Sequence, residues 1–300
     1  MKFQVLSSLL PLLLSVQAVR IVQSNDDGWA EVNLRTLHTV LKAAGHDVVL
    51  SGPAENQSGR GSLDSPPTDR TESCQHDSCP ANSGPTGSDP NDGRLNWVNS
   101  YPVTSMKHGI NTVASQFFGG LRPELAVAGP NVGSNIFIGV QFSGTIGAVV
   151  YSVNEHKIPG IAFSGASGDP TSFTEPTPLY SQLYADLALN VTNTVLASGT
   201  PYLPDGAWLN VNFPTVGDGR CEKLEDFQFI FTRINPGVFS ERDVEWCGTD
   251  RLPQELSTVL RTDGCYATIS VGDADDKSTV DRARQQTVLD KVKGILTCLP

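Results

Sequence analysis

Positive charge is scarce in this chain: 21 lysines and arginines stand against 32 aspartates and glutamates, for a net charge of −11. Phosphate backbones and anionic bilayers repel such a balance, which argues against nucleic acid or membrane as a main partner. An anionic substrate would need a local cation to be drawn in. Long apolar runs are missing beyond residue 18, so no later segment is suited to span a bilayer. No Cys-x-x-Cys pair is present, which removes the usual zinc signature. A G-x-S-x-G elbow is missing too: "GASGD" (165–169) lacks the last glycine. With His38, His46, His76, His108 and His156 read mostly as surface or helix-end residues, a serine hydrolase is not supported. Internal repeats are absent.

What is present begins with "MKFQVLSSLLPLLLSVQA". Lys2, an apolar core and Val16-Gln17-Ala18 form a secretory leader in pattern, too short for a membrane span. Cleavage after Ala18 removes one positive charge, taking the net charge from −11 to −12. Six cysteines in a secreted chain fit three disulfides. Cys74 and Cys79 are expected to pair with each other; the partners among Cys221, Cys247, Cys265 and Cys298 stay open. Asn190-Val-Thr is a glycosylation sequon.

The rest reads as one α/β domain. A buried strand over 19–24 precedes a helix over 30–44, with Leu34, Leu37, Leu41 and Ala44 on one face, and a second strand lies in 46–52. That spacing predicts a parallel sheet with right-handed crossovers. Residues 62–99 are rich in Ser, Pro, Gly, Asp and Asn and are expected to form a long loop or lid pinned by the Cys74–Cys79 bridge. Further helices are expected near 105–118, 143–156, 177–198 and 279–297, and strands from 123, at 158–165 and at 207–214. Beyond residue 215 the β-like runs 227–234 and 265–272 suggest a hairpin-and-helix extension of the same domain. The fold class expected is a Rossmann-like three-layer α/β sandwich with a mostly parallel sheet and a β-rich C-terminal extension.

Ligands of open parallel sheets bind beyond the carboxyl ends of the strands. Asn25-Asp26-Asp27-Gly28 ends the first strand there, and two adjacent carboxylates repel each other unless a cation joins them. An oxygen-liking divalent ion resolves the conflict. Ser143-Gly144-Thr145 opens a helix whose free N–H groups and dipole suit a phosphate. Taken singly, NDDG also suits an ordinary turn, and SGT an ordinary N-cap.

NDDG after the first strand, a serine-bearing loop after "VVLSGP", "GPNVGSN", "SGTIGA" and the later "LNVNFP" occur in the same order in the SurE (survival protein E) family, which this chain resembles over roughly 20–214. The leader, cysteines and insert are similar to that family's secreted fungal acid-phosphatase branch. The resemblance implies a metal-dependent phosphomonoester hydrolase of acid phosphatase or 5'-nucleotidase type. Asp26, Asp27, Ser58 and Asn131 would be the ligands of magnesium, manganese or calcium. Asp26 or Asp27 would be catalytic, with the choice of nucleophile or base left open. Asn25, Asn135, Ser143, Gly144 and Thr145 would surround the substrate phosphate. Asn56-Gln-Ser58 is formally a sequon, but a glycan there would crowd the ion, so Asn56 is expected to be unmodified.

The implied partner is a small phosphate ester, nucleoside monophosphates included, and a homodimer is compatible with the resemblance. "SYPVTSM" (100–106) and the rebuilt loop before it depart from the family pattern, as does the C-terminal segment. A haloacid-dehalogenase-type phosphatase would need Asp-x-Asp rather than adjacent aspartates. "GDADDKSTV" (272–280) lacks the turn glycine and terminal glutamate of a calcium loop. The non-enzymatic alternative is a secreted metal- or phosphate-ligand-binding domain without turnover.

Overall fold

Side chains alternate across a strand, so each strand of a covered sheet feeds two cores. The computed structural model describes residues 18–238 and 240–300; the expected leader lies outside the described residues apart from Ala18. In β1 (Arg20–Ser24), Ile21 faces one layer and Val22 the other. The same division runs through β2 (Asp47–Pro53), reached by way of helix α1 (Val32–Ala43).

The expected lid at 62–99 is more ordered than a loop. It contributes β3 (Thr86–Ser88) and β4 (Leu95–Val98); β4 pairs parallel with β2, and β3 closes the edge antiparallel to β4. Both strands are short and sit in polar surroundings, which hides their period from the sequence. α2 (Pro102–His108) starts three residues earlier than expected, with proline in its first turn. It continues through a π turn at Gly109–Val113 into α3 (Ala114–Phe117).

β5 (Leu125–Val132) is followed by the short α4 (Gly139–Phe142), α5 (Gly144–His156), β6 (Gly160–Gly165), α6 (Leu179–Ala197) and β7 (Ala207–Phe213). β8 (Phe227–Thr232), α7 (Glu255–Val259), β9 (Cys265–Asp273), α8 (Arg282–Val292) and β10 (Leu296–Thr297) complete the chain. One ten-stranded sheet results, in the order β10-β8-β9-β7-β6-β5-β1-β2-β4-β3. The fold is the expected mostly parallel α/β sandwich.

The expected C-terminal hairpin is not formed. β9 pairs antiparallel with β7, whereas β8 and β9 pair parallel, and the chain between them crosses through α7. Two β-like runs separated by about thirty residues have room for a crossover, and the sequence between them carries no short-turn signal.

On one face Ile21, Val127, Phe163 and Val211 pack with Leu37 and Leu41 of α1, Tyr184 and Val191 of α6 and Val288 of α8. On the other, Val22 and Ala126 meet Met106 of α2 and Ala148 of α5, and Ala128, Ala162 and Trp208 meet Ile146 and Val149 of α5. His38 and His46 are buried rather than at the surface, His46 with its Nε2 2.9 Å from Asn193 Oδ1. The cysteines form Cys74–Cys79, Cys221–Cys265 and Cys247–Cys298. Three disulfides fit an oxidising environment. Among the described residues no helix is long and apolar enough to cross a membrane.

Candidate active site

β1 delivers Asn25, Asp26 and Asp27 to the carboxyl edge of the sheet, and all three side chains are buried there. The next strand over, β5, is irregular at its end. Gly129 takes φ +93°, and a Cβ on it would lie 2.2 Å from the Phe163 carbonyl oxygen, so only glycine fits. The pairing with β6 shifts register between Ala128 and Asn131, which brings Asn131 opposite Ser164 and beside the aspartates.

The start of α5 packs against the same point. Gly144 N donates to Asp26 Oδ2 at 3.0 Å and Thr145 Oγ1 donates to Asp26 Oδ1 at 2.5 Å. A Cβ on Gly144 would stand 2.8 Å from Asp26 Cβ and 2.7 Å from Pro102 Cγ, so the close approach of helix to carboxylate needs glycine. The anion at this helix N-terminus is thus Asp26 itself, stabilised by N–H donors and by the dipole. Asp27 Oδ2 accepts from Val132 N at 2.9 Å.

Asn131 completes the cluster. Its Nδ2 donates to the carbonyls of Val132 and Gly133, which fixes the amide orientation and leaves Oδ1 toward Thr145 Oγ1, 3.5 Å away. Asp26, Asp27, Asn131, Gly144 and Thr145 are therefore brought together. Ser58 is not in contact with them through its side chain, which is exposed, although Gln57 N donates to the Asp26 carbonyl oxygen at 2.7 Å. Ser143 is an N-cap, its hydroxyl accepting from Ile146 N.

Asn25 closes the NDDG turn by donating to the Gly28 carbonyl, and its Oδ1 is buried without a partner. Asn135 is held by Asn210, Asn212 and Ser164. The side chain of Asn56 is exposed, and its Oδ1 accepts from Ser58 N.

Burial raises both aspartates above the ordinary carboxylate range. For Asp26 the Thr145 hydroxyl and the Thr145 and Gly144 amides oppose that rise. Asp27 is pushed well up by burial first and by the neighbouring Asp26 charge second, with only Val132 N in opposition among its donors. Neither carboxylate forms an ion pair with a lysine, arginine or histidine among the described residues. Two buried carboxylates lacking a counter-charge, with an amide oxygen turned toward them, make an all-oxygen donor set suited to a hard divalent ion. Among the described residues no group of three or more His, Cys, Asp or Glu could hold a metal, so two carboxylates with amide and hydroxyl oxygens are the set on offer.

Two further buried acids that form no ion pair among the described residues escaped the sequence reading. Glu31 accepts from Thr171 N with both oxygens, and burial lifts it to about 7. Glu255 accepts from Phe137 N at 3.2 Å and from Asn210 Nδ2 at 3.0 Å, and burial lifts it to about 8. Glu31 follows the NDDG turn closely enough to have been suspected. Glu255 lies in the C-terminal segment with no motif around it.

Each of these glutamates binds its proton more tightly folded than unfolded. Between pH 4.5 and about 7 for Glu31, and about 8 for Glu255, the folded state carries protons the unfolded chain has lost, so stability falls as pH rises. The slope is at most about 1.4 kcal/mol per pH unit for each group. Urea unfolding at pH 5 and pH 8 is expected to show the protein more stable at pH 5, with Glu255→Gln reducing the difference. An unchanged difference in that variant would remove Glu255 as a cause.

Residues 21–237 match the family model described as "Survival protein SurE". The acid phosphatase of Yarrowia lipolytica is 31% identical, over 85% of this chain and 79% of its own length. The 5'-nucleotidase SurE of Microcystis aeruginosa is 31% identical, over 83% and 88%. The crystal structure of the SurE protein from Aquifex aeolicus superposes with a TM-score of 0.59 at 19% identity, covering 92% of this chain and 98% of that one, a likeness of fold. The family match starts at the second residue of β1 and contains Asp26, Asp27, Asn131 and Thr145, and the chain belongs to the SurE family.

Proposed function

We propose that this protein is a secreted, metal-dependent phosphomonoester hydrolase of acid phosphatase or 5'-nucleotidase type. The observation that carries the reading is the buried Asp26–Asp27 pair, which among the described residues has no ion-pairing cation. Its relatives bear the names of enzymes that release phosphate from small esters. Asp26, Asp27 and Asn131 would hold a magnesium, manganese or calcium ion, with Ser58 at the rim of the same crevice. When bound, the ion supplies charge neutralisation at the phosphate oxygens.

The chain's own groups divide the remaining work. Asp26, gripped by the Gly144 amide and the Thr145 hydroxyl, is the member of the pair whose charged form has the more hydrogen-bond support. Asp27 has weaker support and a carboxylate neighbour, so it holds a proton more readily and is the member suited to exchange one during hydrolysis. With the Gly144 amide and the Thr145 hydroxyl given to Asp26, the first turn of α5 serves the reaction by fixing that carboxylate rather than by holding the phosphate itself. Secretion is supported by the leader pattern and by the disulfides, and the mature chain would begin at Val19, one residue before β1.

Phosphate release from nucleoside monophosphates and simple esters, measured with and without EDTA, tests the reading. Activity lost on chelation and restored by manganese or magnesium is the expected result. Metal binding without turnover would leave a ligand-binding domain instead, and chelator-resistant turnover would remove the ion from the mechanism.

A further inference from the structure

The segment between Asn135 and Ser143 is built in an unusual way. Its backbone is tied down: Phe137 N donates to Glu255, Gly61 N donates to the Phe142 carbonyl at 2.9 Å, and Lys277 Nζ donates to the Gln141 carbonyl. The Gln141 side chain is held as well, donating to the Asp276 carbonyl. Yet three of its five apolar side chains face solvent, while Val140 is buried and Ile136 half-buried. Phe137 is 39% exposed, Ile138 65% and Phe142 60%, and Leu63, on the loop hydrogen-bonded to this segment, is 50% exposed. These are four of the nine large apolar side chains exposed among the described residues, gathered at one place. Phe137 also takes φ +51°, a left-handed backbone that bulky residues rarely adopt. Exposed apolar clusters on a rigid support mark binding surfaces, and backbone strain gathers at such sites.

Position says what the surface is for. Phe142 is two residues from Gly144, whose amide holds Asp26, and two residues span at most about 7 Å. Phe137 is two residues from Asn135. An ester with its phosphorus at the acidic pair would have its organic group within reach of this segment. We propose that Leu63, Phe137, Ile138 and Phe142 form an apolar shelf that receives the organic group of the substrate, so that the enzyme favours phosphate esters of longer alkyl or aryl alcohols over short or polyol ones. The inference rests on the hydrolase reading above.

Hexyl phosphate and ethyl phosphate separate the two ideas, because both leave as primary alkoxides and differ only in apolar length. The wild-type enzyme, loaded with manganese, is expected to show kcat/KM about tenfold or more higher for hexyl phosphate, as partial burial of four extra methylenes allows. In Ile138→Ser/Phe142→Ser, with its melting temperature checked against wild type, that ratio is expected to collapse toward one. A wild-type ratio near one, or a ratio the double variant leaves unchanged, overturns the shelf while phosphatase activity stands. An unchanged ratio together with a smaller species on sizing columns would assign the patch to self-association, again overturning the shelf. Failure to hydrolyse any phosphate ester overturns the hydrolase reading and the shelf with it.

Discussion

Asp27→Asn is expected to reduce kcat for phosphate release by at least about a thousandfold, and to raise the melting temperature of the metal-free protein. The two effects have one origin. Asp27 is buried next to Asp26, and burial and the neighbouring charge both oppose its ionisation. Asparagine keeps the shape, and its side-chain oxygen can still accept from Val132 N, so the fold loses nothing and the repulsion disappears. The gain in stability should be about 1–2 kcal/mol, and larger as rising pH drives both carboxylates of the wild-type pair to ionise. Adding manganese should reverse the order, because under the proposed function only the wild type would hold the ion with two carboxylates. Thermal unfolding with and without manganese, beside a phosphate-release assay, reads all of this. A fully active variant would remove Asp27 from the chemistry, and a variant less stable without metal would contradict the account of the pair.

The second large effect concerns the C-terminal staples. Cys221 and Cys265 close a loop of 44 residues, and Cys265 begins β9 in register with Phe227 of β8. Loop-closure entropy for that length corresponds to about 4 kcal/mol of stabilisation. Both cysteines are buried. Cys221→Ser/Cys265→Ser should lower the unfolding free energy by about 3–5 kcal/mol, a large fraction of what a domain of this kind possesses. The Cys74–Cys79 bridge spans only five residues, and its removal should cost about 2 kcal/mol. Guanidinium unfolding of the two double variants tests the ranking. Equal losses, or a larger loss at Cys74–Cys79, would show that loop length does not govern these bridges here.

The sequence made parts of this structure plain and concealed others for definable reasons. The short apolar run over 19–24 and the 3.6-residue period over 30–44 located β1 and α1, because the one is buried on both faces and the other along one. The order of NDDG, GPNVGSN and SGTIGA indicated which loops meet at the sheet edge. What SGT does there was less legible. A helix N-terminus favours any nearby anion, and whether that anion is a substrate or Asp26 depends on the approach of α5, which only the three-dimensional packing settles. Four-residue β4 was hidden by its polar neighbours, although Leu95, Asn96, Trp97 and Val98 are all buried. Strand direction in the C-terminal part was misread, since periodicity reports the face a residue occupies and is silent on which way its strand runs. Glu255 had no local signature, for its significance comes from Asn210 and Phe137, distant in the chain.

That last contact has a consequence for chimeras. α7 lies against β9, β7 and β8, and from there its one buried acid grips both an amide of the sheet and the loop that carries Phe137. A hybrid taking residues 1–215 from this protein and its tail from a cousin would therefore keep this loop anchored only if the incoming tail set a carboxylate where Glu255 stands. Where it does not, tail and loop should have to travel together.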